Sequence, residues 1–592
     1  MIILGITEDH NATASLLRDG KVLGCISEER FTRIKNDTEY PYKAIDSLLQ
    51  EANISPSEID HVVIAGKDFD ALQMRIKRTT SFKVEDYIRE MREYWKPVIY
   101  ENKTSDFWER LLKEERFANQ THYYDYSFMD SAPRDAWPVC SNAARLDTIV
   151  KHLGINRSKI DFIDHHTCHA YYAYYASPRA GGARAAVVTA DGWGDGCNAT
   201  VSIAENGTLR EIHRTAMCNM ARMYRWMTLL LGMKPNEHEY KVMGLAPYAK
   251  DYIREPACRI FKETLIVDGL DFAWNKKPSD MYFYFRDKFE GLRFDGIAAG
   301  LQLWLEELLS EWITNIMTHT GTNILYYSGG LSMNVKANKV ISELPAIKDF
   351  HVPPSGGDES LAMGATYVAT IRQGINPRPL ENAYLGYEVS ADEARESIRN
   401  LPDKMDFKVY YNPEDDLIAD LLAEGKVLGR CVGRMEFGAR SLGNRAILCD
   451  PSKFENIRII NEKIKFRDFW MPFTPSILAE RADEYIVNPK GIKADYMTIA
   501  FDGTPLARKH LAASVHPYDF TVRPQLVSKN INPGYYALIK AFEKRTGIGA
   551  VLNTSLNLHG YPIVCTAKDA IETLLQSGLD GMIFPDLLLL KV

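Results

Sequence analysis

At 592 residues, with 46% apolar and 25% charged residues and a net charge of −7, the chain has the composition of a globular protein of two or three domains. No lysine-arginine run is long enough to track a phosphate backbone, so no nucleic acid partner is expected. Met1 to Ile6 lacks the basic region of a signal peptide, no apolar stretch reaches the ~18 residues of a membrane span, and the nine cysteines form no Cys-x-x-Cys pair, which together predict a soluble protein of the reducing cytoplasm.

The chain opens with a strand, Ile2 to Ile6, then a polar loop carrying His10, a strand from Thr13, the turn pair Asp19-Gly20 and a strand from Val22 to Ser27. Asp-Gly between two such runs predicts a tight hairpin. The same design returns after Val187 to Ala190: Asn11-Ala12-Thr13 and Asp19-Gly20 match Asn198-Ala199-Thr200 and Asn206-Gly207 at a constant offset of 187 residues. A duplicated hairpin unit, one per lobe, is the expectation. Between the copies, about 67–161 reads as a helical insertion with mixed charges and many aromatics.

Next comes Asp164-His165-His166-Thr167-Cys168-His169, in which His165 and His169 are four apart and a helix would set them on one face. Two imidazoles so placed can share a metal ion. The zinc-protease version of this spacing has Glu after the first His, and here that residue is His166, which disfavours a protease. Asp191 and Asp358 each close an apolar, strand-like run and are the candidate carboxylate ligands. Nitrogen plus carboxylate donors suit iron, manganese or zinc better than magnesium or calcium.

A buried amphipathic helix is expected over Ile297 to Met317, with Leu301, Leu303, Leu305, Leu308, Trp312 and Ile316 inward. Ile324 to Ser328 then runs as a strand into Gly329-Gly330, where the backbone could approach an anion. Gly364 fits close helix packing rather than a ligand contact. Arg372-Gln373-Gly374-Ile375-Asn376-Pro377-Arg378-Pro379 breaks helix and strand alike and places a domain boundary near residue 380. Beyond it cations gather beside glycines (Arg430, Arg434, Arg440, Arg445, Lys463, Lys465, Arg467, Arg523), a pattern that favours an anion pocket over a solvated basic face. Val551-Leu552-Asn553-Thr554-Ser555-Leu556-Asn557 adds short polar groups after an apolar strand, suited to hydrogen-bond a phosphate or carbamoyl oxygen.

His10, His165-His166-x-x-His169, Glu239-Tyr240-Lys241-Val242-Met243-Gly244, Gly329-Gly330-x-x-x-Asn334, Val352-Pro353-Pro354 with Asp358, Phe437-Gly438-Ala439-Arg440-Ser441-Leu442-Gly443-Asn444-Arg445, Pro472-Phe473-Thr474-Pro475-Ser476 and Leu552-Asn553-Thr554-Ser555 occur in order across nearly the whole chain. Together they resemble the NodU/CmcH-type O-carbamoyltransferases of antibiotic, nodulation-factor and saxitoxin-type pathways. The resemblance implies an α/β protein: an actin/Hsp70/sugar-kinase-like (Kae-type), two-lobed domain over 1–380 and a YrdC-like domain over 381–592. It implies that carbamoyl phosphate and ATP, the latter with Mg2+, give carbamoyl adenylate in the second domain, at Arg440, Arg445, Lys465, Arg467, Arg523, Asn553 and Ser555. The carbamoyl group would pass to a hydroxyl of a small-molecule natural product in the first domain. There His165, His169, Asp191 and Asp358 would hold a divalent transition metal, Fe2+ by family association with Mn2+ or Zn2+ equally compatible, His10 would be the general base, and Lys241, Gly244, Gly329, Gly330 and Asn334 would contact a nucleotide. A homodimer is compatible with this reading. Met471 departs from the family, which often has a basic residue before the Pro-Phe pair.

Two other classes stay open. A tRNA threonylcarbamoyladenosine enzyme would share both domain types but needs an RNA surface. A nucleotide-regulated binding protein of the actin/Hsp70 type would not need a second domain full of Gly-flanked arginines.

Overall fold

The structure, a computed structural model, describes residues 1–78, 82–178, 182–399, 401, 407–465 and 468–592. It divides into two compact units: Met1–Lys348 with Gly356–Pro379, and Asp349–Ser355 with Leu380–Val592.

The first unit is built on two sheets of matching design. In one, the strands lie in the order Lys21–Ser27, Thr13–Arg18, Ile2–Thr7, His61–Ala65, Ile160–Ile163, antiparallel among the first three and parallel thereafter. In the other, Thr208–Thr215, Cys197–Glu205 and Ala185–Gly194 form the antiparallel trio, and Ile324–Ser328 runs parallel to the last of them. The duplicated turns are alike in backbone as well as sequence: Asp19 and Gly20 have φ of 49° and 80°, Asn206 and Gly207 of 50° and 75°. Two successive left-handed residues make the turn whose twist matches that of the flanking strands, which is why Asp-Gly and Asn-Gly recur there. This is the two-lobed α/β duplication that the sequence leads one to expect.

The crossover between His61–Ala65 and Ile160–Ile163 is occupied by the helical insertion, from Ala71–Lys77 to Trp137–Leu153. It has its own apolar cluster around Phe82, Tyr87, Phe107 and Trp108, closed by Leu229 and Phe283 from later in the chain. The long helix runs from Phe294 to Thr320 and buries Leu301, Leu305, Leu308, Trp312 and Ile316. Leu303 is only half-buried, and Trp304, 1% exposed, is inward instead, because the buried stripe follows the 3.6-residue turn.

Two glycines set the position of the helix that carries the histidines. A Cβ on Gly364, in helix Leu361–Arg372, would lie 2.0 Å from the carbonyl oxygen of Cys168, and one on Gly5 would lie 2.0 Å from that of Ala362. Helix His165–Tyr175 therefore packs backbone to backbone on Leu361–Arg372, which packs as closely on strand Ile2–Thr7. A larger residue at Gly364 would push the histidine helix off Leu361–Arg372, and one at Gly5 would push Leu361–Arg372 off the strand.

The second unit centres on an eight-stranded mixed sheet in the order Phe407–Tyr411, Leu587–Lys591, Gly581–Phe584, Leu428–Cys431, Arg445–Cys449, Ala550–Ser555, Thr474–Leu478, Gln525–Val527. Its buried faces carry Ile447, Leu552 and Met582, against which Leu574 of helix Ala567–Leu575 packs in one core. Among the described residues no helix is long and apolar enough to cross a membrane.

Candidate functional site

Helix His165–Tyr175 begins where it does because Asp164 caps it, accepting from the Thr167 amide at 2.8 Å. Burial works against the Asp164 charge, but Arg214 at 2.9 Å and Thr167 outweigh it and hold the carboxyl down at about 2. Asp195 accepts from the His165 amide at 2.7 Å and from those of Lys67 and Asp68 at 2.8 Å, so one side chain ties the start of the helix to the start of the insertion.

One turn apart, the rings of His165 and His169 have centroids 4.7 Å from each other. Asp191, late in strand Ala185–Gly194, and Asp358, at the start of a helical turn, complete a group of four whose ligand atoms all lie within 4.8 Å of one another. His165 Nε2 is 3.4 Å from Asp191 and 3.8 Å from Asp358, and His169 Nε2 is 3.4 Å from Asp358. Nε2 of both histidines and Oδ1 of Asp358 are buried without a hydrogen-bond partner. Buried polar atoms are ordinarily paired, and three orphans converging on one point fit a cation bound among them. Two nitrogens and two carboxylates are the donor set of a divalent transition metal.

The surroundings aim these donors. His169 Nδ1 faces Ser328 Oγ at 3.4 Å, which turns Nε2 into the cluster. The Gly330 amide donates to Asp191 Oδ1 at 2.6 Å, and a Cβ on Gly194 would lie 2.2 Å from the His165 ring. His166 points away, to Thr189 Oγ1 at 2.8 Å and the Cys197 carbonyl at 3.3 Å; burial, then the charge of His165, push it down to about 3. It is a neutral structural histidine.

Burial and mutual charge pull the four groups apart in pKa. Burial alone would lower His165, but Asp191 and Asp358 raise it to about 9; burial, then the charge of His165, lower His169. Burial and the charge of Asp191 push Asp358 up, while Asp191 is held down because the histidines outweigh its burial. Two carboxylates crowded together split in this way.

His10 lies half-buried in the loop after strand Ile2–Thr7, its amide bonded to Asp9 Oδ1 at 2.9 Å. The charge of Asp9 acts on both His165 and Asp358, which brings this loop within electrostatic reach of the cluster. Glu8, bound by Arg145 Nε at 2.6 Å and by the Tyr124 hydroxyl, anchors its base. Of the expected nucleotide contacts, Lys241 and Gly244 are buried in helix Glu239–Leu245. Gly329, with φ of 96°, passes so close to strand Ala185–Gly194 that a Cβ would lie 2.2 Å from the Ala190 carbonyl oxygen. Gly330 and Asn334 already have partners within the chain. Gly330 serves Asp191, and Asn334 caps helix Val335–Glu343 while exchanging amide hydrogen bonds with Gln302 at 3.0 and 2.9 Å.

In the second unit the polar groups after strand Ala550–Ser555 do meet a cation. Lys465 is buried and donates to the Ser555 carbonyl at 2.5 Å, to Ser555 Oγ at 3.1 Å and to Asn557 Oδ1. Asn553, fully buried, gives Nδ2 to the Ser441 carbonyl, Ser476 and Gln525, and its Oδ1 has no partner. Arg523 is buried just before strand Gln525–Val527, and Arg440 is half-buried on the loop that Glu436 folds by accepting the amides of Leu442, Asn444 and Arg445 at 2.7, 2.7 and 3.1 Å. Arg467 lies outside the described residues.

Arg445 is held differently. Fully buried, it donates to the carbonyls of Cys565, Val432, Gly433 and Tyr387 at 2.8–3.1 Å, so its fork holds backbone together instead of meeting an anion. Arg430 and Arg434 do likewise with the carbonyls of Gly443, Gly386 and Leu385. Gly-flanked arginines here largely cap loops, because a loop bent by glycine leaves carbonyls outside any ladder. Met471 is buried and apolar, and brings no charge to the pocket. Sequence reasoning missed Asp195 and Gln525, which sit in no telling local pattern, and gave Glu436 no role although it lies within the Gly-rich run.

Residues 2–367 match the family model described as Carbamoyltransferase N-terminus, and 419–591 the one described as Carbamoyltransferase C-terminus. An uncharacterized protein of Methanocaldococcus jannaschii is 30% identical over the whole of both chains. Nodulation protein NolNO of Sinorhizobium fredii is 28% identical over 98% of this chain and 79% of its own, and nodulation protein NolO of Bradyrhizobium diazoefficiens 31% identical over 72% and 79%.

Proposed function

Since the chain belongs to the carbamoyltransferase family, we propose that it is an ATP-dependent enzyme that carbamoylates a hydroxyl of a small molecule. What carries this reading is the group of four convergent donors, three of them buried residues, with three orphaned atoms, a site that a purely structural protein would have no reason to keep.

In the first half-reaction carbamoyl phosphate and Mg-ATP are joined at the Lys465–Ser555 pocket. Water takes the phosphoryl group of carbamoyl phosphate as its O–P bond breaks, freeing carbamate and phosphate; a carbamate oxygen then bonds to the α-phosphorus of ATP as the α–β anhydride bond breaks and pyrophosphate leaves. Lys465, Arg440 and Arg523 neutralise and position these polyanions, and Ser555, Asn553 and Asn557 supply directed hydrogen bonds. In the second half-reaction the acceptor oxygen bonds to the carbamoyl carbon, AMP leaves with the anhydride electrons, and His10 takes the hydroxyl proton. A divalent metal (iron, manganese or zinc) on His165, His169, Asp191 and Asp358 would polarise the carbamoyl carbonyl. Asp195, Ser328 and Gly330 keep those side chains in place.

The test needs no acceptor. The full-length protein mixed with carbamoyl phosphate and Mg-ATP should release pyrophosphate, and neither substrate alone should suffice. Pyrophosphate release that is independent of carbamoyl phosphate would overturn the reading.

A further inference from the structure

Two residues beyond Asp191, strand Ala185–Gly194 carries Trp193 between Gly192 and Gly194. Although it neighbours a buried cluster, this indole is 47% exposed. Helix Met220–Leu230 packs against the same strand and against the Gly330–Met333 turn, whose Gly330 amide serves Asp191. From that helix the Arg222 guanidinium lies over the Trp193 ring at 5.5 Å, and Arg225, three residues on, lies over Trp226 at 5.0 Å.

Neither arginine has a carboxylate at ion-pair distance among the described residues, and Arg225 Nε is a buried donor without an acceptor. That sets the pair apart from Arg430, Arg434 and Arg445, which are taken up by carbonyls. Burial, and then the charge of Arg225, hold the Arg222 pKa down. Near Arg225, Lys77 is already paired with Glu90 at 3.0 Å, and Glu239 is pushed up by burial to about 7. Two half-buried guanidiniums on one helix face, short of counter-charge, are stabilised by an anion that joins them. The planar, partly exposed indole beside them offers a stacking surface for a flat ring.

We propose that Arg222 and Arg225 bind the phosphate of a nucleoside monophosphate group whose base lies against Trp193, next to the metal centre. This rests on the proposed function for the ligand's identity, since the activated carbamoyl donor is a mixed anhydride of such a group. The need for an anion rests on the arginines alone. None of the three residues was among those expected to contact a nucleotide.

Phenylglyoxal labelling of the full-length protein, read by peptide mass mapping, tests this residue by residue. AMP at about ten times its Kd should slow labelling of Arg222 and Arg225 about tenfold. Inorganic phosphate should protect more weakly and adenosine not at all, and in Trp193→Ala protein AMP should protect no better than phosphate. Unchanged labelling of both arginines under saturating AMP and phosphate overturns the site. Equal protection by phosphate and AMP in the wild-type protein overturns the stacking role of Trp193 and leaves a bare phosphate site. Pyrophosphate release by the wild-type protein is scored separately, so that its failure removes the carbamoyl-transfer reading without deciding the labelling result.

Discussion

The four-donor cluster of the first unit and the arginine- and lysine-bearing loops of the second are both collections of buried charge, yet they are satisfied in opposite ways. At His165, His169, Asp191 and Asp358 the donors face one another with three atoms unpartnered. In the second unit, Arg445 is as deeply buried as His169 but has a carbonyl for each arm of its fork. An unpaired buried polar atom costs about 1–3 kcal/mol, so a fold retains several at one point only where something else completes them. Burial of charge by itself does not mark a site; burial without partners does.

The largest effect should come from the cluster. Wild-type protein should hold about one transition-metal ion per chain, and protein carrying both His165→Ala and His169→Ala none. Elemental analysis that finds the metal undiminished would end the contrast, because the orphaned atoms would then have no ligand to explain them.

Within the second unit the contrast predicts two kinds of loss. Lys465→Ala should stop pyrophosphate release while leaving the unit folded. Arg445→Ala should act through stability, at a cost on the order of 3–5 kcal/mol, since it strands four carbonyls. Denaturant titration of both variants separates them. If Arg445→Ala is as stable as wild type and only inactive, Arg445 belongs to the anion pocket after all.

His10→Asn keeps one hydrogen-bonding nitrogen but cannot take a proton near neutral pH. Transfer to any acceptor found to be carbamoylated should fall at least ~100-fold, the low end of what a general base contributes, while metal content and pyrophosphate release persist. A fall smaller than ~10-fold would make His10 a structural residue.

Glu237 gives the smallest effect and tests the satisfied side of the comparison. Burial works against its charge, but Lys35 at 2.9 Å and Lys234 at 2.8 Å outweigh it and bring the carboxyl down to about 2. Because the folded pKa is depressed, the stabilisation is complete above the unfolded value of about 4.5 and disappears as pH falls through about 2. Glu237→Gln should therefore cost on the order of 2 kcal/mol at pH 7 and progressively less below pH ~4.5. A loss of stability that does not vary between pH 7 and pH 3 would show that packing, not the ion pairs, is what Glu237 supplies.

Much of the first unit was legible in the chain because its signals are local. Four-residue spacing puts His165 and His169 on one helix face wherever that helix lies, and Asp19-Gly20 and Asn206-Gly207 make the same turn from their own backbone preferences. Gly364 could be read as a packing glycine for a related reason, since a missing side chain inside a helix is costly unless another backbone needs the space. The arginines of the second unit were not legible. Arg445 sits in the same Gly-rich run as Arg440, and its assignment as structural depends on the Cys565 carbonyl, 120 residues away. Arg222, Arg225 and Trp193 gave no signal either, because absence of a counter-charge belongs to a neighbourhood and not to a sequence window. Periodicity and turn chemistry act over a few residues and are written in order along the chain; which donor finds which acceptor is decided only when distant segments pack, and that the tertiary structure alone determines.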